Sequence, residues 1–352
     1  MKKVFLFGYY GFGNLGDELL CTYYTRLLSE HFPGLKIIIL TGKPICWKTE
    51  FGSVRVSRWN LRQLGKLISP GDFLVGGGGS IFQDVTSKRS LCYYLALLAL
   101  AHQCKAEIIL VGQGFGPLSP LGKKLTKPFL NFTNIISCRD PKSLTALKTM
   151  GVTKPLLHLT VDPLWDLKTP KRTRDLSNQP VLGFFFRKGE LKRKRRLLAG
   201  LHKRFVEIKL ITLFPDDLLA AQKIAKEVGL SPPLFIKDLD DLNIVFSEIS
   251  IVIGEKLHGL LLAAKWGLPG IGLSNDPKIK AFCQQMEWPY FNWQERNLEK
   301  LINKVVDELL SNINLVCEHL LKKTTELELK ASKERIWFLQ QIKEALSCPQ
   351  KN

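Results

Sequence analysis

The sequence lacks the features of a membrane-spanning or exported protein. Its longest apolar stretch, around Leu95–Ala101, falls short of the roughly 20 residues that a helix needs to cross a bilayer. Met1–Phe7 leads directly into a predicted strand, without the apolar core and small-residue cleavage site of a signal peptide. We therefore expect a cytoplasmic protein.

Cysteines with the spacing of metal or redox motifs are also missing. The eight cysteines are scattered without a CxxC pair or a combined Cys/His pattern, and several fall in apolar helical segments. Such cysteines are typical of structural thiols in a reducing compartment. The sequence therefore predicts no metal site.

Negative charge is scarce, and the chain carries a net charge of +19. This excess predicts attraction to an anionic partner, which could be a nucleic acid, a lipid surface or a phosphorylated substrate. The densest basic cluster, Arg187–Arg204, is equally typical of a solvated helix face. No RNP, helix-turn-helix or zinc-finger pattern accompanies it, so we expect no nucleic-acid partner. Peripheral contact with the anionic inner face of the cell membrane is the better interpretation.

The order of predicted elements indicates an α/β fold. Short apolar runs such as Lys3–Gly8 and Ile251–Ile253 repeatedly end in glycine or polar residues before a helical pattern. This repetition is typical of doubly wound parallel sheets, and 352 residues suffice for two such domains. We predict an N-terminal Rossmann-like domain at residues 1–167, a polar linker at 168–180 and a C-terminal Rossmann-like domain at 181–352 that ends in long helices.

A glycine pattern after the first predicted strand must be weighed as a dinucleotide fingerprint. Gly11, Gly13 and Gly16 match GxGxxG. That fingerprint also needs an acidic residue at the end of the second strand, to hold a ribose. The predicted second strand, Lys36–Leu40, is followed by Thr-Gly-Lys instead. We therefore expect no nicotinamide or flavin cofactor.

Polar residues at the start of the first predicted helix indicate a different ligand. Asn14, Asp17 and Glu18 are placed to hydrogen-bond a polyol. The alternative is that Asp17 and Glu18 only interact favourably with the helix dipole.

The segment Ile251–Phe282 predicts a strand–helix–strand unit with charged residues at the carboxyl ends of both strands. Ligands of open α/β sheets bind at these ends, and a helix N-terminus attracts anions. The unit therefore predicts an anion-binding crevice. Its charged residues are Glu255, Lys256 and His258 at the helix start, and Asp276 and Lys278 after the second strand.

Several motifs, in their order and spacing, resemble the polysaccharide pyruvyl transferases. The bacterial branch that pyruvylates cell-wall polymers is the most similar, and the resemblance extends over about Lys3–Gln285. The motifs are GYYGFGNLGDE at Gly8–Glu18, GGGGSIFQDVTSKRSLCYYL at Gly76–Leu95, GQGFGPL at Gly112–Leu118, CRD at Cys138–Asp140, VDP at Val161–Pro163 and KLHGLLLAAKWGLPGIGLSNDPKIKAF at Lys256–Phe282.

The resemblance implies both a fold and an activity. The fold is the B-type glycosyltransferase architecture, with two Rossmann-like domains facing a cleft. The activity is transfer of a carboxyethylidene group from phosphoenolpyruvate to two hydroxyls of a sugar, which forms a ketal and releases phosphate. The acceptor is a cell-envelope or exopolysaccharide glycan, either free or lipid-linked. Neither a metal nor an organic cofactor is implied.

The resemblance also implies donor-binding residues in the second domain. Arg187 can bind a carboxylate or a phosphate through two N–H groups, although it could simply begin the basic helix. Lys256 stands where the family usually has arginine, so it keeps the charge and loses the planar fork. His258 is suited to move a proton or to contact the departing phosphate. Asp276 accompanies these residues, and Lys278 is either a second phosphate ligand or a solvated charge.

Acceptor-binding residues are expected in the first domain. Asp17 or Glu18 would act as the base for the sugar hydroxyls. We expect Arg139 and Asp140 to form an ion pair or a helix cap. Relatives often carry a histidine near Phe214, where Asp216 or Asp217 could substitute for it. The remaining acceptor-binding residues are Asn14, Gly77, Gly78, Gln83 and Asp84.

Two other functions remain open at this stage. One is a B-type glycosyltransferase that uses a nucleotide sugar. The other is a non-catalytic relative that binds a glycan or a membrane.

Overall fold

The computed structural model describes residues 1–42, 51–170 and 180–347. The chain forms two compact units: Met1–Leu167 together with the chain from Glu328 onward, and Lys168–Leu327. Of the predicted linker, residues 171–179 lie outside the described residues.

The first unit contains a seven-stranded parallel sheet in the order β3-β2-β1-β4-β5-β6-β7. Its central strands are continuous apolar runs because both of their faces are buried. The chain reverses its direction of sheet growth between β1 and β4, which is where such sheets bind ligands. The strands are β1 (Lys3–Phe7), β2 (Lys36–Thr41), β3 (Val54–Ser57), β4 (Phe73–Phe82), β5 (Glu107–Phe115), β6 (Ile135–Cys138) and β7 (Leu156–Leu159).

Helices connect these strands. They are α1 (Leu15–His31), α2 (Leu61–Leu67), α3 (Lys88–Gln103), α4 (Pro120–Leu130) and α5 (Pro141–Met150), and a short 3-10 turn follows at Pro163–Asp166. The two ends of α5 show how the sequence sets the boundaries. Asp140 accepts the Ser143 amide at the start of α5, and Gly151 ends the helix in the left-handed conformation.

The second unit contains a six-stranded parallel sheet in the order β10-β9-β8-β11-β12-β13. Its order reverses between β8 and β11. The strands are β8 (Val181–Phe185), β9 (Glu207–Thr212), β10 (Leu234–Phe235), β11 (Ile251–Gly254), β12 (Gly270–Leu273) and β13 (Tyr290–Phe291). The helices are α6 (Leu191–Leu201), α7 (Pro215–Val228), α8 (Leu239–Glu248), α9 (Leu257–Lys265), α10 (Pro277–Met286) and α11 (Leu298–Ser311). The predicted α/β class with doubly wound parallel sheets is confirmed.

The last helix, α12 (Ile313–Ser347), corrects the predicted assignment of residues 181–352 to a single domain. From Glu328 onward the helix belongs to the first unit. Phe338 is buried there, with its ring edge-on to that of Tyr24 at 5.7 Å. The prediction placed this helix in the second domain because of its position along the chain. An amphipathic pattern shows that one face of a helix is buried, but it does not show which core that face packs against.

Residues 1–42, 51–170 and 180–347 lack two further features. None of the helices in these ranges is long and apolar enough to cross a membrane. The same ranges contain no group of three or more His, Cys, Asp or Glu side chains that could hold a metal ion.

Candidate functional site

The carboxyl ends of β8 and β11 bring Arg187 and the start of α9 together. The parallel register pairs Phe185 with Gly254, so the residues that follow lie side by side. The Glu255 amide donates to the Phe185 carbonyl at 3.2 Å, and the Arg187 amide donates to Glu255 Oε1 at 3.3 Å. Arg187 therefore stands at the strand-order reversal of the second sheet, with an exposed side chain.

A buried ion pair holds the turn that carries Arg187. Lys194, on α6, lies with its Nζ 2.9 Å from Glu255 Oε1, and their side chains are 1% and 5% exposed. The same ammonium donates to the carbonyls of Arg187 at 2.6 Å and Gly189 at 2.5 Å. Trp293 Nε1 donates to Glu255 Oε2 at 3.0 Å. These contacts fix the backbone of Arg187 and leave its guanidinium facing solvent.

Burial controls the ionisation of this pair. It raises the pKa of the Glu255 carboxyl to about 7, and the Lys194 charge opposes the shift. Burial likewise lowers the pKa of Lys194, against the attraction of Glu255. Burial removes the water that would solvate either charge, so the charged form of each group depends on the charge of the other. The pair is therefore part of the scaffold beneath the site.

Lys194 was not predicted as a site residue because it lies inside the basic cluster Arg187–Arg204. Its position nevertheless carries a signal. Together with Leu191, Leu197, Leu198 and Leu201 it follows the spacing of one helix face, and that face is the one that α6 buries. A lysine on an apolar stripe predicts a buried partner of opposite charge.

Lys256, predicted to bind the donor, forms an ion pair within the second unit. Its Nζ lies 2.7 Å from Asp217 Oδ2 and 5.3 Å from the centre of the Phe214 ring. Asp217 is buried in the first turn of α7, where its Oδ1 accepts the Lys188 amide at 2.9 Å. The charge of Lys256 is thus neutralised by Asp217, one of the two carboxylates suggested for that loop.

The other predicted donor residues follow β11 and β12 at the same edge. His258 is half-buried in the first turn of α9. Asp276 caps α10 by accepting the Lys278 amide at 3.0 Å, and its own amide donates to Ser274 Oγ at 3.1 Å. Since β8, β11 and β12 are neighbours, the structure brings all five predicted donor residues to one edge of the second sheet.

In the first unit, Glu18 is bound to the glycine-rich loop. Its Oε1 accepts the amides of Gly11, Phe12 and Gly13 at 2.8, 3.2 and 3.1 Å. These amides would face a pyrophosphate in a dinucleotide fold, and here the protein's own carboxylate occupies them. Burial raises the pKa of Glu18 to about 7, although the loop amides oppose the shift. The contacts favour a structural role over the predicted role as a base.

Replacing Glu18 with alanine should destabilise the first unit. The substitution leaves the loop amides without an acceptor, and an unsatisfied buried donor costs roughly 1–3 kcal/mol of the free energy of unfolding. Urea unfolding at pH 8 measures the loss. Glu18→Gln is the matched control, because its carbonyl can still accept the amides. An equal loss in both variants would contradict the assigned role of Oε1.

Asn14 and Asp17 form a polar pair at the same end of β1. Asn14 Nδ2 donates to Asp17 Oδ2. Gly77 and Gly78, predicted to contact the acceptor, serve packing within the unit. The Tyr10 hydroxyl donates to the Gly77 carbonyl at 2.8 Å and occupies the space that a Cβ would need. Gly78 has a φ of +80°, and its missing Cβ would lie 3.0 Å from the Leu20 side chain.

Gln83 and Asp84 organise the loops after β4 and β5. Asp84 accepts the Ser119 amide at 3.0 Å and the Ser119 hydroxyl, which holds the pKa of Asp84 below its usual range. Gln83 Oε1 accepts the Thr86 amide at 2.9 Å. These contacts shape the loops, and acceptor binding by the two side chains stays a prediction.

Arg139 and Asp140 have separate partners. Arg139 Nη1 lies 2.5 Å from Asp162 Oδ2, and its Nη2 donates to Ser80 Oγ at 2.9 Å. Asp140 is the cap of α5. The predicted helix cap is confirmed, whereas the ion pair joins Arg139 to the VDP motif.

The family comparison covers most of the chain. The model of the polysaccharide pyruvyl transferase family matches residues 14–277. This range includes every residue predicted for the donor and acceptor sites except Lys278, which follows it directly. No match was found among curated proteins.

Comparison with solved structures identifies the fold. Anabaena Alr3699/HepE in complex with UDP has a TM-score of 0.65 at 13% identity, over 99% of this chain and 100% of that chain. UDP-GlcNAc 2-epimerase from Neisseria meningitidis has a TM-score of 0.63 at 12% identity, over 97% and 100%. Acinetobacter baumannii MurG has a TM-score of 0.58 at 10% identity, over 98% and 100%. At these identities the likeness shows the glycosyltransferase-like fold of two Rossmann-like domains and nothing about substrate.

Proposed function

We propose that this chain, which belongs to the polysaccharide pyruvyl transferase family, transfers a carboxyethylidene group from phosphoenolpyruvate to two hydroxyls of a glycan. Membership makes it a polysaccharide-modifying transferase, and the identity of the donor is the proposal. The observation that carries it is the convergence of Arg187 and His258 where β8 and β11 end. A guanidinium and an imidazole at that edge suit a small ligand with two anionic groups.

The donor site is proposed at this edge of the second unit. Phosphoenolpyruvate has a carboxylate and a phosphate on one carbon, and the Arg187 guanidinium can bind either through two parallel hydrogen bonds. The N-terminus of α9 offers amides to the other anion. Lys278 is a further phosphate ligand at the start of α10. Because Lys256 is paired with Asp217, we assign it to holding α7 beside α9.

In the proposed reaction a proton adds to the methylene carbon, and the neighbouring carbon becomes oxocarbenium-like. The first sugar hydroxyl attacks this carbon and loses its proton. The carbon–oxygen bond to phosphate then breaks, and the second hydroxyl closes the ketal as it loses its own proton. One hydroxyl proton balances the methyl group that forms, and the other leaves with phosphate. His258 is proposed to donate the proton that adds to the methylene carbon, and a proton released from a hydroxyl restores it.

The acceptor is proposed to contact the polar end of β1 in the first unit. Asn14 and Asp17 provide an amide and a carboxylate there, and Asp17 is the proposed base for the hydroxyls. Glu18 fixes the loop that precedes them. No cofactor is needed for this chemistry. We further propose that the protein works in the cytoplasm at the membrane surface, on a free or lipid-linked glycan of the cell envelope.

The proposal predicts consumption of phosphoenolpyruvate in an assay with labelled donor. Purified protein is incubated with carboxyl-labelled phosphoenolpyruvate and a cell-envelope glycan extract, and in parallel with UDP- and GDP-sugars. We expect acid-labile label in the glycan with one phosphate released per label, and no nucleotide release. Nucleotide release without phosphoenolpyruvate consumption would establish the glycosyltransferase alternative. Glycan binding without either reaction would establish a non-catalytic relative.

A further inference from the structure

An exposed surface of the first unit combines lysines with apolar side chains. Helices α4 and α5 border a groove of about 590 Å³. Its lining includes Pro141, Ala146 and Met150 together with several lysines. We refer to this region as the α4–α5 surface. Its lysines are Lys123, Lys124 and Lys127 on α4, and Lys142 on α5.

The two helices of the α4–α5 surface carry charge of a single sign, although the carboxylate of Asp84, which is bound to Ser119, lies at the start of α4. Neither Pro120–Leu130 nor Pro141–Met150 contains an acidic residue. Asp140 lies between these helices, but its carboxylate is occupied as the cap of α5. The lysines therefore present a positive potential that no side chain on these two helices offsets.

Beside the lysines runs an apolar stripe that stays exposed in the described part of the first unit. Leu121, Leu125 and Pro128 recur at i, i+4 and i+7 along α4, so they share one face. Leu121 is 62% exposed and Leu125 is 46% exposed, whereas the opposite face of α4 packs inward through Thr126 and Leu130. Water therefore solvates two leucines on one helix, an arrangement that favours a partner with an apolar layer.

We propose that the α4–α5 surface docks on an anionic lipid bilayer. The lysines would contact phosphate headgroups, and Leu121 and Leu125 would enter the boundary between headgroups and acyl chains. A helix with this division into leucines and lysines is typical of one that lies in a membrane interface. The α4–α5 surface would hold the protein at the membrane, the location given in the proposed function, and this binding does not depend on the reaction catalysed.

Two other occupants fit the surface less well. A second copy of the chain docked by symmetry would bring lysine against lysine, which is repulsive. A nucleic acid would satisfy the lysines and leave the leucines exposed to water. A bilayer satisfies both parts of the surface.

The basic helix α6, which the sequence favoured as the membrane contact, lacks the apolar component. Its leucines Leu197, Leu198 and Leu201 are buried in the second unit. Two of its arginines have acidic partners: Arg195 lies 3.8 Å from Glu227, and Arg193 lies 3.9 Å from Glu190. Helix α6 therefore provides a matched control, because it is rich in basic residues and has no exposed apolar stripe beside them.

Vesicle binding tests the proposal without any enzyme reaction. The full-length protein is sedimented with vesicles of phosphatidylcholine alone, and with vesicles containing about one-third phosphatidylglycerol. The surface variant is Lys123→Glu, Lys124→Glu and Lys142→Glu, near the N-termini of α4 and α5, where negative charge suits the helix dipole. The control is Lys192→Glu, Arg196→Glu and Lys203→Glu, which changes net charge equally at exposed sites of the α6 region. A third variant, Leu121→Ser with Leu125→Ser, keeps all charges.

We expect the wild type to bind only the anionic vesicles. The surface variant should bind about 100-fold more weakly, and the α6 control less than tenfold more weakly. The leucine variant should lose the binding that persists at high salt. Equal losses in the surface variant and the control would overturn the proposal, because net charge alone would then explain binding. It would also be overturned if the surface variant lost binding to a DNA duplex while keeping vesicle binding. Failure of the phosphoenolpyruvate assay would leave all these results unaffected.

Discussion

Replacing Lys194 with methionine is expected to destabilise the second unit by about 3–5 kcal/mol, because removing one partner of a buried ion pair leaves the other charge uncompensated. Glu255 would remain buried and would keep only the N–H donors of Arg187 and Trp293. The carbonyls of Arg187 and Gly189 would lose their ammonium donor. Urea unfolding followed by tryptophan fluorescence measures the loss.

The loss of stability in the Lys194→Met variant should increase as pH rises. In the folded protein Glu255 already has a pKa of about 7, above its ordinary value of 4.5, so folding favours its protonated form. Removing Lys194 removes a charge that lowers this pKa, and the folded state then binds the proton more tightly. Stability of the Lys194→Met variant should therefore fall further as pH rises from 5 to 8 than that of the wild type.

Two controls separate the ion pair from general effects of charge and volume. Lys192→Met removes a lysine from the exposed face of the same helix and should change the free energy of unfolding by less than about 0.5 kcal/mol. Lys194→Met combined with Glu255→Gln removes both charges and should recover part of the lost stability. A double variant no more stable than Lys194→Met would show that lost packing, and not the stranded carboxylate, causes the destabilisation.

The sequence predicts the fold well because local patterns determine it. Many of the strands are followed by glycine or polar residues before a helix begins, and the order of elements leaves few topologies for a doubly wound sheet. The sequence does not predict which unit the end of α12 packs against. The apolar residues Phe338 and Ile342 show a buried face, but pairing that face with Tyr24 depends on a contact between distant parts of the chain.

The sequence predicts where the candidate site lies in the second sheet, but it does not predict the contacts of the site residues. Arg187, Lys256 and His258 lie at strand ends, which the βαβ pattern locates. The partners of Arg187 and Lys256 were not predicted, since Lys194 lies within the basic cluster and Asp217 has the position of an ordinary helix N-terminal residue. Glu18 shows the same limit, because its contact with the loop amides arises from the turn geometry of Gly11–Gly13 and not from residue type.

Replacing His258 with glutamine is expected to lower kcat for pyruvyl transfer by about 10²–10⁴-fold, the usual contribution of a positioned proton-transfer group. Glutamine keeps hydrogen-bonding capacity at the start of α9 and cannot exchange a proton near neutral pH. The KM for phosphoenolpyruvate should change less than kcat, since the proposed contact of Arg187 with the substrate anions is retained. Initial rates of phosphate release over a range of phosphoenolpyruvate concentrations separate the two parameters.

The comparison with Arg187→Ala makes the assignment specific. Loss of a charged hydrogen-bonding group should raise the KM for phosphoenolpyruvate by roughly 10–100-fold, because such contacts contribute about 1.5–3 kcal/mol. His202→Gln is the matched control, as this histidine is exposed at the end of α6, and its kcat should equal that of the wild type. If His258→Gln raised only KM and left kcat unchanged, His258 would be a binding residue, and the proton at the methylene carbon would have to come from another group.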